Sequence, residues 1–505
     1  LEPTEYERQG LSTGRRGLKA RAICLRPCPV AKLATPVLKR IANLAAEIRA
    51  EFPKIDDLLP FGPGVHKSVG AGPCVWFGDT AEIPLLAQSR RVRVDYRMGW
   101  LAENTDIIVI GGPDSAAFET YQRQWLKAPD LRYLNVDPDE GLPRRATPAI
   151  CLRDQAAFGQ LCDALAGQNN ITLHAHITTG TIWALAARLA SATGADVHVA
   201  GPPPRLSRRA NDKIWFGNVV QSLLGSGATP PKRTAYSASA LTRHVAELAR
   251  EWDRLVVKVP NSAGSAGNFV VRSKDIRGLK PAELNRHLLR DLSFNGQTPV
   301  FPMLVEVWDA NVLTSPSVQT WIPDPKDGPP VIEGVFEQVL QGENAAFAGA
   351  APADLPPEVM AELTRDGLQL ATLFQQLGYF GRCSFDALVT GARDHAETVH
   401  WIECNARWGG VSIPMSLVHR LTESMNSPHY VIVQTGGDTY REIQFTDASQ
   451  EFADVTPPPD FQTGILFLTP GVMEFGAGCH FLSFGTDIQK AADLARVTVG
   501  RLTDR

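Results

Sequence analysis

The sequence has no cysteine pair in CxxC spacing and no Cys/His run of the kind that holds zinc, although eight cysteines are present (Cys24, Cys28, Cys74, Cys151, Cys162, Cys383, Cys404, Cys479). Scattered in this way they read as free thiols of a reducing compartment, not as a disulfide framework. No apolar run approaches the roughly 18–20 residues that a membrane-spanning helix needs. The first stretch, LEPTEYERQGLSTGRRGLKA, lacks the apolar core of a secretory signal. A cytoplasmic protein with no membrane partner is the expectation. Excess charge of either sign is also missing: the formal net charge is −4 and the basic residues are dispersed, which argues against nucleic acid as a partner. There is no internal repeat, no low-complexity tract, no Walker-type glycine loop followed by Lys-Ser/Thr and no G-x-G-x-x-G. These absences leave small-molecule chemistry.

What is present is an ordinary globular composition, 44% hydrophobic and 21% charged, over 505 residues. That length predicts several packed units. Residues 1–20, polar with three glycines and no initiating Met, read as a flexible leader. From about 73 to 204 the runs PCVWFGD, RVRVDY, TDIIVIGGP, LRYLNVD, ITLHAHITTG and DVHVAGPPP alternate with helical stretches, the rhythm of a parallel, Rossmann-like sheet. Thr178 or Thr179 is placed to cap the helix that follows the fifth run. The prolines of GPPPR at 201–205 interrupt that rhythm. Beyond them come helices near 211–224 and 238–252 and long strands ending at VIEGVFEQVLQ, an α+β unit with an antiparallel sheet. An amphipathic helix is expected over 357–377, then a hairpin of GRCSFDALVT and TVHWIECNARW. After TPPP at 456–459 come two more strands and a helix. The expected units are therefore 1–20, a Rossmann-like domain over 21–208, a second domain over 209–445 with a lid at about 228–308, and a small α+β domain over 446–505.

The chemistry concentrates in the second domain. In Glu403-Cys404-Asn405-Ala406-Arg407 strand alternation puts Glu403, Asn405 and Arg407 on one face. Folding the hairpin near residue 394 or 395 sets Asp386 opposite Glu403. Two carboxylates and an amide oxygen form a donor set suited to Mg²⁺. An isolated match of this kind is usually a solvated ion pair, so its partners decide. Lys258 stands mid-strand among apolar residues, where an ammonium is costly without an anion. The strand runs into Asn261-Ser262-Ala263-Gly264-Ser265-Ala266-Gly267-Asn268, small residues that allow backbone N–H groups to approach a phosphate. Lys213 opens a helix that Asn211 or Asp212 caps, and Leu304-Val305-Glu306-Val307-Trp308 is a candidate hinge against an adenine edge. His174 and His176 alternate on a strand without a third ligand and read as packed or rim histidines. The Gly111–Ser115 turn is a candidate border of a carboxylate substrate.

Taken in order, Lys213, Lys258 with its small-residue loop, Glu306, Asp386 and Glu403-x-Asn405-x-Arg407 resemble the ATP-grasp superfamily over about residues 205–425. The Rossmann-like region resembles the domain that precedes such folds. WIECNARWGG at 401–410 and NDKIWF at 211–216 look most like the pheganomycin-type peptide ligases. The resemblance implies that Lys213 and Lys258 hold ATP phosphates, that Ser262, Ala263, Gly264 and Ser265 close over them, and that Glu306, Val307 and Trp308 border adenine. It further implies Asp386, Glu403 and Asn405 as Mg²⁺ ligands, with Arg407 and Lys258 catalytic. The implied activity is an ATP-dependent carboxylate–amine ligase that joins amino acid or peptide substrates through an acyl phosphate. A homodimer is compatible with the sequence. A kinase on the same fold and an ATP-sensing protein are the rival readings.

Overall fold

The computed structural model describes residues 33–84, 94–137, 145–263, 267–293, 299–342, 345–392, 395–422, 429–437, 439–457 and 461–503. The leader at 1–20 lies outside these residues. Six short strands, β1 (Val65–Lys67), β2 (Cys74–Phe77), β3 (Ile107–Ile110), β4 (Arg132–Asn135), β5 (Asn170–Ala175) and β6 (Asp196–Val199), form a sheet in the order β1-β6-β5-β2-β3-β4. Every pairing in it is parallel, as the alternation implied. β2 and β3 are buried along their whole length, which is why they read as apolar runs and not as alternating ones. Thr179 caps the helix Gly180–Thr193 by accepting from the Thr181 N–H. The strand order reverses between β2 and β5, so a crevice opens beyond their carboxyl ends, the usual ligand position in such sheets.

The described part of RVRVDY, residues 94–96, does not become a strand. Residues 91–93 lie outside the described residues, and Asp95–Leu101 form a 3₁₀ helix with six buried residues, Arg97 among them. It packs too tightly for a larger neighbour at Gly78, where a Cβ would stand 2.1 Å from the Asp95 carbonyl oxygen. The helix Thr35–Glu51 lies apart from the Rossmann-like sheet. Its Ile41, Ala45 and Ile48 join the core built by the helices Lys213–Leu224 and Pro357–Gln376, an attachment that local pattern does not encode.

Four antiparallel strands, β7 (Lys232–Ala235), β8 (Arg254–Lys258), β9 (Asn268–Arg272) and β10 (Met303–Val307), run in the order β7-β10-β8-β9. The helices Ala238–Leu248 and Pro281–Asp291 share one apolar cluster with them. The remaining strands make one nine-stranded antiparallel sheet. They are β11 (Val312–Thr314), β12 (Pro316–Ile322), β13 (Val331–Gln341), β14 (Ala346–Pro352), β15 (Gly381–Ala392), β16 (His395–Asn405), β17 (His429–Gly436), β18 (Gly464–Phe467) and β19 (Gly478–Gly485). The C-terminal strands were expected in a small domain of their own. They instead extend this sheet, because β19 pairs with β17 along its full length, from His429↔Gly485 to Gly436↔Gly478.

Candidate active site

The β15–β16 hairpin folds with Asp386 opposite Glu403, and Ser384 opposite Asn405. A bulge follows, since Ala387 pairs with Trp401 and leaves Ile402 extra. An added residue bends a strand and re-aims the side chains beside it. Ile402, Glu403, Asn405 and Arg407 all line one cavity of about 1090 Å³. Strand β16 ends at Asn405, so Arg407 reaches the cavity from the segment just beyond it.

Within the cavity Asn405 Nδ2 donates to Asp386 Oδ2 at 2.8 Å, and Ser317 Oγ donates to Asp386 Oδ1 at 2.5 Å. Burial, and then the neighbouring Glu403 carboxylate, push the Asp386 carboxyl up to about 7. Burial acts on Glu403 in the same sense, but it is outweighed by the Lys213 ammonium, whose Nζ lies 2.8 Å from Glu403 Oε2, with Arg407 and Lys258 adding to the effect. Glu403 is therefore held below the usual carboxylate range. Arg407 donates to Asn211 Oδ1, and Asn211 also accepts from the Ala406 N–H. Asp212, not Asn211, caps the helix Lys213–Leu224, accepting from Ile214 N and Trp215 N.

Lys213 Nζ also donates to the Ser262 carbonyl at 2.7 Å, tying the helix start to the base of the small-residue loop. Ala263 lines the cavity, whereas Gly264 and Ser265 lie outside the described residues. Lys258 is buried as expected, but the anion it meets is Glu306: the two form an ion pair on adjacent strands. Glu306, Val307 and Trp308 line the same cavity. Two backbone donors along this hinge are already used. Val307 N–H and Trp308 N–H already donate to the Pro231 and Arg254 carbonyls, because β10 is paired on both sides. Asp309 and Ala310, just after the strand, also line the cavity.

Thr80, after β2, and His176, after β5, extend the cavity to the crevice at the reversal of strand order. The Gly111–Ser115 turn, one strand further along, is not part of its lining. Ser115 is tied instead to Tyr96 and Glu474. His174 is a packed histidine, stacked on Trp76 at 4.0 Å, and His176 is a buried histidine that lines the cavity. Among the cavity residues that sequence reasoning missed are Arg97, Gln434, His480 and Thr80. Lys232, opposite Glu306 on β7, was missed as well, and burial lowers its ammonium to about 8.

The family model described as the Pre ATP-grasp domain matches residues 95–191. Biotin carboxylase from Campylobacter jejuni, in a complex with β,γ-ATP, superimposes with a TM-score of 0.52 at 15% identity, over 85% of this chain and 91% of that one. Pyruvate carboxylase from Rhizobium etli does so with a TM-score of 0.50 at 12% identity, over 85% of this chain and 37% of that one. The fold is that of the ATP-grasp proteins. Among curated proteins none matches the sequence. In this ATP-grasp fold the cavity lies where the four-stranded sheet, the nine-stranded sheet and the pre-ATP-grasp domain meet.

Proposed function

We propose that the protein is an ATP-dependent carboxylate–amine ligase of the peptide-forming type, nearest in kind to the pheganomycin-type ligases, with ADP and phosphate as co-products. The observation that carries this reading is the convergence of Lys213, Lys258, Asp386, Glu403, Asn405 and Arg407 on one cavity. Its volume, about 1090 Å³, exceeds the roughly 300–1,000 Å³ of a usual single-ligand pocket, which suits a nucleotide together with a second substrate.

Lys213 and Lys258, each nearly solvent-excluded, hold the ATP phosphates. Ser262 and Ala263 border them and help keep water from the intermediate, while the rest of the expected cover, Gly264 and Ser265, lies outside the described residues. The donor set Asp386, Glu403 and Asn405 fits Mg²⁺: two adjacent carboxylates repel in its absence, and the Asn405 carbonyl oxygen remains an acceptor while its Nδ2 donates to Asp386. Bound there, Mg²⁺ supplies charge neutralisation of the phosphate oxygens. A substrate carboxylate oxygen attacks the γ-phosphorus, the bond to the β–γ bridging oxygen breaks, and ADP leaves. The amine nitrogen then attacks the acyl carbon, the amide bond forms, phosphate departs with the former carboxylate oxygen, and the amine loses one proton. Arg407 offsets the charge that develops on the phosphoryl group and the tetrahedral oxyanion.

The test is ADP release with amino acids and short peptides, singly and in pairs, with hydroxylamine added to trap an acyl phosphate as a hydroxamate and mass detection of the condensed product. A phosphoester without hydroxamate would convert the reading to a kinase, and tight ATP binding without turnover would convert it to a sensor.

A further inference from the structure

The cavity holds a second buried arginine that the proposed nucleotide site does not use. Arg97 is 4% exposed, and its partners are neutral: Nη1 donates to Gln434 Oε1 at 3.0 Å, Nη2 to the Gly410 carbonyl at 3.3 Å, and Nε has no acceptor. Among the described residues no carboxylate pairs with it, and burial lowers its guanidinium to about 10. A desolvated charge left in this way is costly unless an anion joins it. Gln434 on β17 stands opposite His480 on β19, so both present the same face to Arg97. His480 is buried, its Nδ1 has no partner, and burial followed by the Arg97 charge holds it well below the usual histidine range. His176 is lowered to about 3 by burial and then by Arg407 and Arg97. Both imidazoles are therefore neutral and each offers one N–H. All these residues line the cavity already described.

We propose that Arg97, flanked by His480 and His176, is a subsite for a substrate carboxylate that is held and not activated. The two arginines have different partners. Arg407 is tied to Asn211 beside Glu403, whereas Arg97 is tied to β17 and Gly410, and they share no hydrogen-bond partner. A planar guanidinium with only neutral partners takes a carboxylate oxygen by a charge-assisted hydrogen bond, which an uncharged ligand cannot match. The substrate class is an α-amino acid or short peptide whose own carboxylate remains free while its other end faces the phosphoryl site. This inference rests on the ligase reading above and names a substrate feature of that same cavity.

The test is calorimetric titration of the full chain, with saturating Mg·ADP, using N-acetylglycine and N-acetylglycinamide as probes that differ only in the carboxylate. Wild type is expected to bind the acid and not the amide. Arg97→Met is expected to weaken the acid by roughly 30-fold or more, as for loss of one partner of a buried charge pair, while Arg407→Met keeps most of the affinity. Arg97→Lys, which keeps the charge without the fork, is expected to fall between and serves if Arg97→Met does not fold. Equal binding of acid and amide, no saturable binding by wild type, unchanged affinity in the Arg97 variants, or a loss that follows Arg407 instead would each overturn the proposal. Mg·ADP affinity on the same preparations reports separately on the nucleotide reading: its absence would remove that reading and leave the acid–amide contrast legible.

Discussion

Asp386 should make the ligand-free protein less stable than it would be without that carboxylate. Its carboxyl lies at about 7 in the folded chain against 3.8 as the ordinary value. At about 1.4 kcal/mol for each tenfold in the protonation equilibrium, that gap corresponds to ~4 kcal/mol. Between these values the folded state keeps a proton that the unfolded state has lost, so stability is fully present below about pH 4 and is lost as pH rises through about 7. Glu403 has the opposite sign: it is held low, and its contribution is lost only as pH falls below its unfolded value of 4.5. The window from about pH 5 to 7 also contains the buried His176 and His480, held low and therefore of opposite sign, so the difference between wild type and an Asp386 variant isolates the part that belongs to Asp386. The assay is urea unfolding in EDTA across this window for wild type and Asp386→Asn, repeated with MgCl₂. Asparagine still offers an oxygen to Ser317 but carries no charge. The variant should be more stable than wild type at pH 8 in EDTA by ~2–4 kcal/mol and should lose the part of the slope that belongs to Asp386. Mg²⁺ should stabilise wild type at pH 8 more than at pH 5 and leave the variant unchanged. A variant less stable than wild type at pH 8 in EDTA, or one that responds equally to Mg²⁺, would refute both the electrostatics and the ligand assignment.

Lys258→Met should weaken ATP binding and also destabilise the fold by about 3–5 kcal/mol, because it strands the buried Glu306 carboxylate; Lys258→Met with Glu306→Gln should recover stability but not nucleotide affinity, as urea midpoints and ATP titration would show. Arg407→Ala should bind ATP nearly normally and slow ADP release on the order of 10²–10³, and a normal kcat would return this arginine to a structural role. Glu403→Gln and Asn405→Ala should each raise the Mg²⁺ concentration needed for turnover, read from ADP release against MgCl₂, and wild-type dependence in both would place the metal elsewhere.

The elements legible in the sequence were those carried by local pattern. Strand alternation and a polar turn were enough to bring Asp386 opposite Glu403, and β-branched runs located the buried parallel strands. Arg97 was missed because R-V-R-V-D-Y imitates an alternating strand, whereas the residues from Asp95 onward form a 3₁₀ helix that packs against Gly78, a contact the local pattern does not encode. Lys258 was recognised as a buried ammonium, yet its partner is set by the pairing of β8 with β10, which register alone decides. The union of β17 and β19 joins segments that a composition break at TPPP separates, and no local signal announces it. Gln434 and His480 acquire a shared face only through that pairing, so their role had no sequence signature.

That long-range pairing bears on how Arg407 is held. The segment from Ala406 to Gly410 is fixed from three directions: Asn211 accepts from Ala406 N, Trp408 N donates to the His176 carbonyl at 3.0 Å, and the Gly410 carbonyl accepts from Arg97. Gly409 N donates to Ser412 Oγ, and the Trp408 ring lies 4.9 Å from the Arg382 guanidinium, itself in a buried ion pair with Glu333. Two of these three anchors, His176 and Arg97, belong to the pre-ATP-grasp domain. A cation that acts on developing charge is useful only when its position is set before the reaction. The pre-ATP-grasp domain therefore contributes more than a wall of the cavity: it fixes the backbone on both sides of Trp408, and the guanidinium that would meet the phosphoryl group is positioned by the same residues that would grip the far end of the substrate.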